Sequence, residues 1–102
     1  MSMNQDIARR FADAAAILEI TGANAFRVNA VTKVARLLED MPEDIRAMAD
    51  DPKALSGIDG IGKSSAEKIS EFSKTGTIKD FDELKASIPQ GLIDVLALPG
   101  LG

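Results

Sequence analysis

Eight residues, Ser56-Gly57-Ile58-Asp59-Gly60-Ile61-Gly62-Lys63, carry the best-defined chemical pattern in this chain, and they run directly into Ser64-Ser65-Ala66-Glu67-Lys68-Ile69. Gly60 and Gly62 flank one aliphatic residue and remove the Cβ atoms that would obstruct a tight turn or a close approach to the backbone. A turn that feeds a helix start leaves several N–H groups without intrahelical partners, at the positive end of the helix dipole. Such a nest suits anionic oxygens, phosphate above all. Lys63 stands at the helix start, where a cation is unfavourable unless an anion lies beside it. Gly60, Ile61, Gly62, Lys63 and Ser64 are therefore the candidate anion cradle. The same aliphatic-x-Gly-aliphatic-Gly pattern returns as Leu98-Pro99-Gly100-Leu101-Gly102. The alternative reading is a tight helix–helix turn with an incidental lysine; the second copy weighs against it. Thr21-Gly22 and Thr75-Gly76 read as helix stops only.

The elements around this hairpin read as helices. Ile7, Phe11, Ala14 and Leu18 recur at helical spacing over 4–20, and Gly22 follows as a left-handed stop. Asn24 caps a second helix over 25–40, with Phe26, Ala30, Val34, Leu37, Leu38 and Met41 as its apolar positions. Pro42 suits the first turn of a short third helix holding Ile45 and Met48. Residues 50–57 read as a connector. A helix over 63–75 buries Ala66, Ile69 and Phe72 and stops at Gly76. Asp80 and Glu83 form a capping box for a helix through Ala86, Pro89 breaks it, and a last helix over 90–97 carries Leu92, Ile93 and Leu96. No strand-like alternation persists. The expected fold is all-α, a compact bundle of about five or six short helices: a helical domain over 1–97 with the helix-hairpin-helix at about 55–75, and the start of a second hairpin at 98–102. The pattern breaks off there, so the polypeptide is expected to continue.

Composition narrows the chemistry. The 102 residues include no cysteine and no histidine, which removes disulfides, thiolate zinc sites and the usual neutral-pH general base. No apolar run is long enough for a membrane span, and the expectation is an intracellular, metal-poor protein. The net charge of −4 argues against indiscriminate nucleic-acid binding. Charge is uneven, however. Residues 21–38 hold Arg27, Lys33 and Arg36 with no acid, whereas 39–51 are strongly acidic. Local contact with a phosphate backbone, weakened steeply by salt, fits that distribution. Lys33, Arg36 and Lys74 read as a solvated charged face.

Asn24-Ala25-Phe26-Arg27-Val28, Val34-Ala35-Arg36-Leu37-Leu38-Glu39, Pro42-Glu43-Asp44-Ile45, the Gly-Ile-Gly hairpin with Ala66-Glu67-Lys68-Ile69, Thr75-Gly76 and Leu98–Gly102 occur in an order that resembles the N-terminal, 8 kDa-like domain of family X DNA polymerases, the bacterial branch most closely. The resemblance spans nearly the whole chain. It implies a small helical DNA-binding domain of a repair polymerase in the bacterial cytoplasm, at the nucleoid, that engages gapped or nicked DNA near the 5′-phosphate. The polymerase domains would follow Gly102, since the metal-binding aspartates of nucleotidyl transfer have no place here. By the same resemblance Arg27 matches a lysine that binds the 5′-phosphate. Lys68 matches a Schiff-base nucleophile of 5′-deoxyribose-phosphate lyases and lies at the phosphate site. Ser64 replaces a phosphate-binding lysine, and Asp80 falls where a basic residue would be. Sodium or potassium held by the backbone carbonyls of Ser56, Ile58 and Ile61 is also implied; no other cofactor is. Two further readings stay open. One is a helical protein-interaction domain, suggested by the acidic 39–51 stretch. The other is a hairpin module from a repair nuclease or DNA-uptake protein.

Overall fold

A computed structural model describes residues 3–88; the expected helix over 90–97 and the second hairpin at 98–102 lie outside them. The described residues contain five α-helices, one 3₁₀ turn and no strand: α1 (Met3–Ile20), α2 (Ala25–Asp40), the 3₁₀ turn (Ile45–Ala47), α3 (Pro52–Ser56), α4 (Lys63–Thr75) and α5 (Lys79–Ala86). The fold is all-α, as the periodicity requires.

Helices α1 and α2 form an antiparallel pair, because only four residues join them. Gly22 takes φ +80° in that turn, and Asn24 Oδ1 caps α2 by accepting from the Phe26 N–H at 2.7 Å. The inner faces supply Ile7, Phe11 and Ala14 from α1 and Val34, Ala35 and Leu38 from α2. Ile45, Leu55, Ile61, Ala66, Ile69, Ile78 and Phe81 close the core from the second half of the chain. Phe11 and Phe81 meet edge to face, centroids 5.0 Å apart at 87°, and fasten α5 onto α1. Asn4 is buried and bridges in both directions: Nδ2 donates to the Glu43 carbonyl, and Oδ1 accepts from the Ile45 N–H, each at 2.7 Å.

Several local expectations change. Residues 50–57 are not merely a connector: Pro52–Ser56 form α3, with Asp51 Oδ1 accepting from the N–H groups of Lys53 and Ala54. Pro42 does not open the third helix; Asp44 caps a 3₁₀ turn that begins at Ile45. The capping box at Asp80 and Glu83 does not form. Ile78 occupies the cap position of α5 without a side-chain bond, so Asp80 already lies inside the first turn. Phe72 is only half-buried, with the Arg10 guanidinium 4.9 Å above its ring. Phe26, expected in the core, is 85% exposed.

Candidate nucleic-acid interface

The hairpin is held in place because both of its ends are anchored. Leu55 at the end of α3 and Ile61, Ala66 and Ile69 around the start of α4 are all buried, and burying each of the leucine and isoleucine side chains contributes roughly 1.5–3 kcal/mol. Between them the chain turns twice. The Gly57 N–H donates to the Lys53 and Ala54 carbonyls and ends α3. The Ile61 N–H then donates to the Ile58 carbonyl at 3.0 Å, closing a four-residue turn. Gly60 is the third residue of that turn with φ +99°, the conformation a type II turn demands of glycine. A Cβ on Gly60 would lie 3.0 Å from Leu37 Cδ1 and 3.4 Å from Lys33 Cε, so the turn is also pressed against α2. Gly60 therefore serves the fold twice over.

Gly62 serves it hardly at all. Its φ of −81° and ψ of 175° are open to any residue. No heavy atom lies within 4 Å of where its Cβ would stand. Gly62 begins α4 without a side-chain cap, and the first N–H to find a backbone acceptor is that of Ala66, which donates to the Gly62 carbonyl at 2.9 Å. Among the described residues, the N–H groups of Gly62, Lys63, Ser64 and Ser65 donate to no protein acceptor. Gly62, Lys63 and Ser64 are exposed. Four unspent donors at a helix start, unobstructed by a side chain at Gly62 and with the helix dipole behind them, are the chemistry an anion requires. Of the predicted cradle, Ile61 is the exception. Its N–H is consumed within the turn and its side chain is 3% exposed, so it anchors the hairpin rather than lining its mouth.

Lys68 lies one turn along α4. Its Nζ donates to Ser64 Oγ at 2.8 Å, pairs with Asp80 Oδ2 at 3.5 Å and stands 5.9 Å from the Phe81 centroid. The side chain is 17% exposed. The ammonium thus sits beside the first turn of α4, tethered by an acid and an aromatic face. Asp59 belongs to the exposed turn, and its carboxylate opposes an anion there. Arg27 shares neither hydrogen bond nor ion pair with the hairpin. It precedes Lys33 by six positions, about 120° away around α2. Lys33, read from sequence as part of a solvated face, is the α2 cation that reaches the turn; no sequence periodicity signals that contact.

The carbonyls of Ser56 and Ile61 accept no backbone hydrogen bond among the described residues, and that of Ile58 accepts one, from the Ile61 N–H. Neutral oxygens of this kind are what hard cations take. Among the described residues there is no cluster of acidic side chains that could hold a metal ion, and no helix is long and apolar enough to cross a membrane.

Residues 2–78 match the helix-hairpin-helix domain family. The chain belongs to that family. It is also 37% identical over 98 residues to a DNA polymerase/3′-5′ exonuclease PolX of Bacillus subtilis (strain 168), a family X polymerase. That alignment covers 96% of this chain and 16% of the relative, so the chain spans about one sixth of the length of the curated protein it matches. Within the matched residues α3, the turn over 57–62 and α4 follow one another as helix, hairpin and helix.

Proposed function

We propose that this chain is the DNA-binding module of a family X DNA polymerase that acts in repair, and that it holds the 5′-phosphate side of a gapped or nicked duplex. The reading rests on one observation: four unspent N–H groups at the start of α4, three of them on exposed residues, entered through a glycine whose missing side chain the fold does not need. Gly62, Lys63 and Ser64 would contact the phosphate oxygens. Gly60 would shape the turn, and Ile61 would fasten it to the core. Lys68 would act from below through Ser64, and Arg27 would meet the backbone further along. The similarity to PolX supplies the polymerase context, in which nucleotidyl transfer is the work of other domains of such a protein. Sodium or potassium on the Ser56, Ile58 and Ile61 carbonyls would steady the turn and offset the Asp59 charge. Its signature is stronger DNA binding in potassium than in tetramethylammonium at equal ionic strength.

The test is the affinity of the chain for a short gapped duplex with and without a 5′-phosphate, at two salt concentrations. Tighter binding of the phosphorylated gap, with the difference narrowing as salt rises, supports the reading. Equal affinity at both salts overturns it.

Lyase chemistry by Lys68 is the second reading. In its favour, the Lys68 amine, on a side chain 17% exposed, stands 2.8 Å from Ser64 Oγ at the proposed phosphate site. A neutral amine is needed to attack an aldehyde, and Nζ is engaged instead by Asp80 Oδ2 at 3.5 Å and stands 5.9 Å from the Phe81 ring centroid.

A further inference from the structure

Asp13 is the one charged side chain that the described residues bury, at 6% exposed. Its carboxylate shares no hydrogen bond and no ion pair among them. A desolvated, unpaired carboxylate is costly. Its oxygens are nevertheless not sealed in, because no enclosed side-chain oxygen or nitrogen among the described residues lacks a hydrogen-bond partner. They open onto a cavity of about 230 Å³ between α1, α4 and α5. Ala14, Ile17, Phe72 and Phe81 give this cavity an apolar lining, and the Arg10 guanidinium stands 4.9 Å above the Phe72 ring. Arg9, Arg10 and Lys85 border it together with Asp6 and Asp82, so that with Asp13 the two signs of charge balance. Burial pushes the Asp13 carboxyl up to about 6; Arg9, Lys85 and Arg10 pull it down, but none of the three pairs with it.

The chemistry of a ligand follows from these groups. An apolar cavity of roughly 150 Å³ holds benzene, so this one admits a bicyclic ring but not a whole nucleotide. The balanced border selects no net charge. Asp13 asks for two hydrogen-bond donors side by side, the arrangement a carboxylate accepts in bidentate fashion. Among the nucleobases only guanine offers it, through N1–H and the 2-amino group, with O6 beside them as an acceptor for a cation. Adenine and cytosine set a ring-nitrogen acceptor beside the amino donor, and thymine flanks its single N–H with carbonyls. A guanidinium also brings paired donors, but three cations already act on Asp13 and repel a fourth. We infer that the cavity between α1 and α5 binds the guanine ring of a free nucleobase or nucleoside, its N1–H and 2-amino group donating to Asp13, its O6 accepting from Lys85 or Arg10, and its ring packed against Ile17, Phe72 and Phe81. This site lies apart from the hairpin and does not depend on what the hairpin binds. Phe81 stands between the two, its ring centroid 5.9 Å from Lys68 Nζ.

The test titrates the chain by calorimetry with guanosine, inosine, adenosine and methylguanidinium, while ¹⁵N–¹H spectra locate the bound ligand. Guanosine should bind saturably, with shifts on α1 from Arg10 to Ile17 and on α5 from Phe81 to Lys85. Inosine, which lacks the 2-amino group, should bind about ten-fold more weakly; adenosine and methylguanidinium should show no saturable binding. The paired donors need an ionised Asp13, so guanosine affinity should fall about ten-fold between about pH 7.5 and about pH 5. The other charged groups facing Asp13 are Asp6, Arg9 and Arg10 on α1 and Asp82 and Lys85 on α5. Asp13→Asn, which keeps the side-chain shape but turns one acceptor into a donor, should abolish guanosine binding. No saturable binding of guanosine, equal affinity for guanosine and inosine or adenosine, shifts confined to the hairpin, or unchanged affinity in Asp13→Asn would each overturn the inference. The nucleoside series is read on the parent chain, so the outcome does not hang on the stability of a variant.

Discussion

Replacing Gly62 with alanine separates what this glycine does for the fold from what it does for a ligand. Its backbone is extended, and the space where a Cβ would stand is empty to 4 Å. Two small effects then oppose each other. The methyl group narrows the unfolded ensemble and stabilises by about 0.4–1 kcal/mol. Alanine is a poorer helix cap than glycine, by something on the order of 0.5–1 kcal/mol. The net should lie within about 0.5 kcal/mol of zero, a melting shift of no more than about 4 °C for a domain this size. Gly60→Ala is the contrast, since it forces a side chain into φ +99° and 3.0 Å from Leu37 Cδ1; about 2–4 kcal/mol should be lost. In binding, the new methyl at Gly62 stands at the mouth of the four free N–H groups and keeps a phosphate oxygen from approaching. Losing one charge-assisted hydrogen bond costs about 1.5–3 kcal/mol, which is roughly ten-fold or more in affinity for a 5′-phosphorylated gap. Thermal melting and fluorescence anisotropy read the two effects on one sample. A Gly62→Ala variant that melts and binds like the parent would refute the assignment of Gly62 to an anion site.

Four other substitutions follow from particular contacts. Asp13 is 6% exposed in α1, and its carboxyl is pushed up to about 6 by desolvation, with Arg9, Lys85 and Arg10 pulling the other way. A folded-state pKa above the unfolded value of about 3.9 means a stabilising contribution that is complete below about pH 4 and is lost as pH rises through about 6. Asp13→Asn should therefore flatten the decline in stability across pH 4–6.5, by on the order of 1–3 kcal/mol, as read from urea melts at several pH values. An unchanged pH profile would exclude Asp13 as its source. Asn4→Ala leaves the Ile45 N–H and the Glu43 carbonyl without their partner and should cost about 2–4 kcal/mol in urea unfolding; a loss under about 0.5 kcal/mol would contradict that role. Any borohydride-trapped adduct with pre-incised abasic DNA should vanish in Lys68→Ala and increase in Asp80→Asn, which removes the carboxylate 3.5 Å from Nζ. Equal yields in Asp80→Asn and the parent would show that Asp80 does not govern the amine.

Long helices were legible because one face repeats over four or five turns, as with Ile7, Phe11, Ala14 and Leu18. Stops at Gly22 and Gly76 were legible because their positive φ requires glycine. Helix α3 escaped because five residues are too short for periodicity, although Asp51-Pro52 is a cap followed by a first-turn proline and could have revealed it. Phe26 misled because apolar character says only that burial is favourable, not that a partner surface exists on that side of α2. The hairpin could be read as an anion site from its glycines, but which amides are spent could not: the Ile61 N–H is lost to the Ile58 carbonyl, a consequence of turn geometry. Contacts between distant segments leave no local trace. Asn4 with Glu43 and Ile45, Lys33 over Gly60, and Lys68 with Asp80 all belong to that class.

The most direct measurement is a ¹⁵N–¹H correlation spectrum of the labelled chain titrated with a 5′-phosphorylated gapped duplex and with its unphosphorylated twin. The four amides of Gly62, Lys63, Ser64 and Ser65 should shift most, downfield and only with the phosphorylated DNA, while Ile61 moves little because its N–H is already bonded. Largest shifts along the acidic 39–51 stretch, or identical shifts with both duplexes, would contradict a phosphate held at the start of α4.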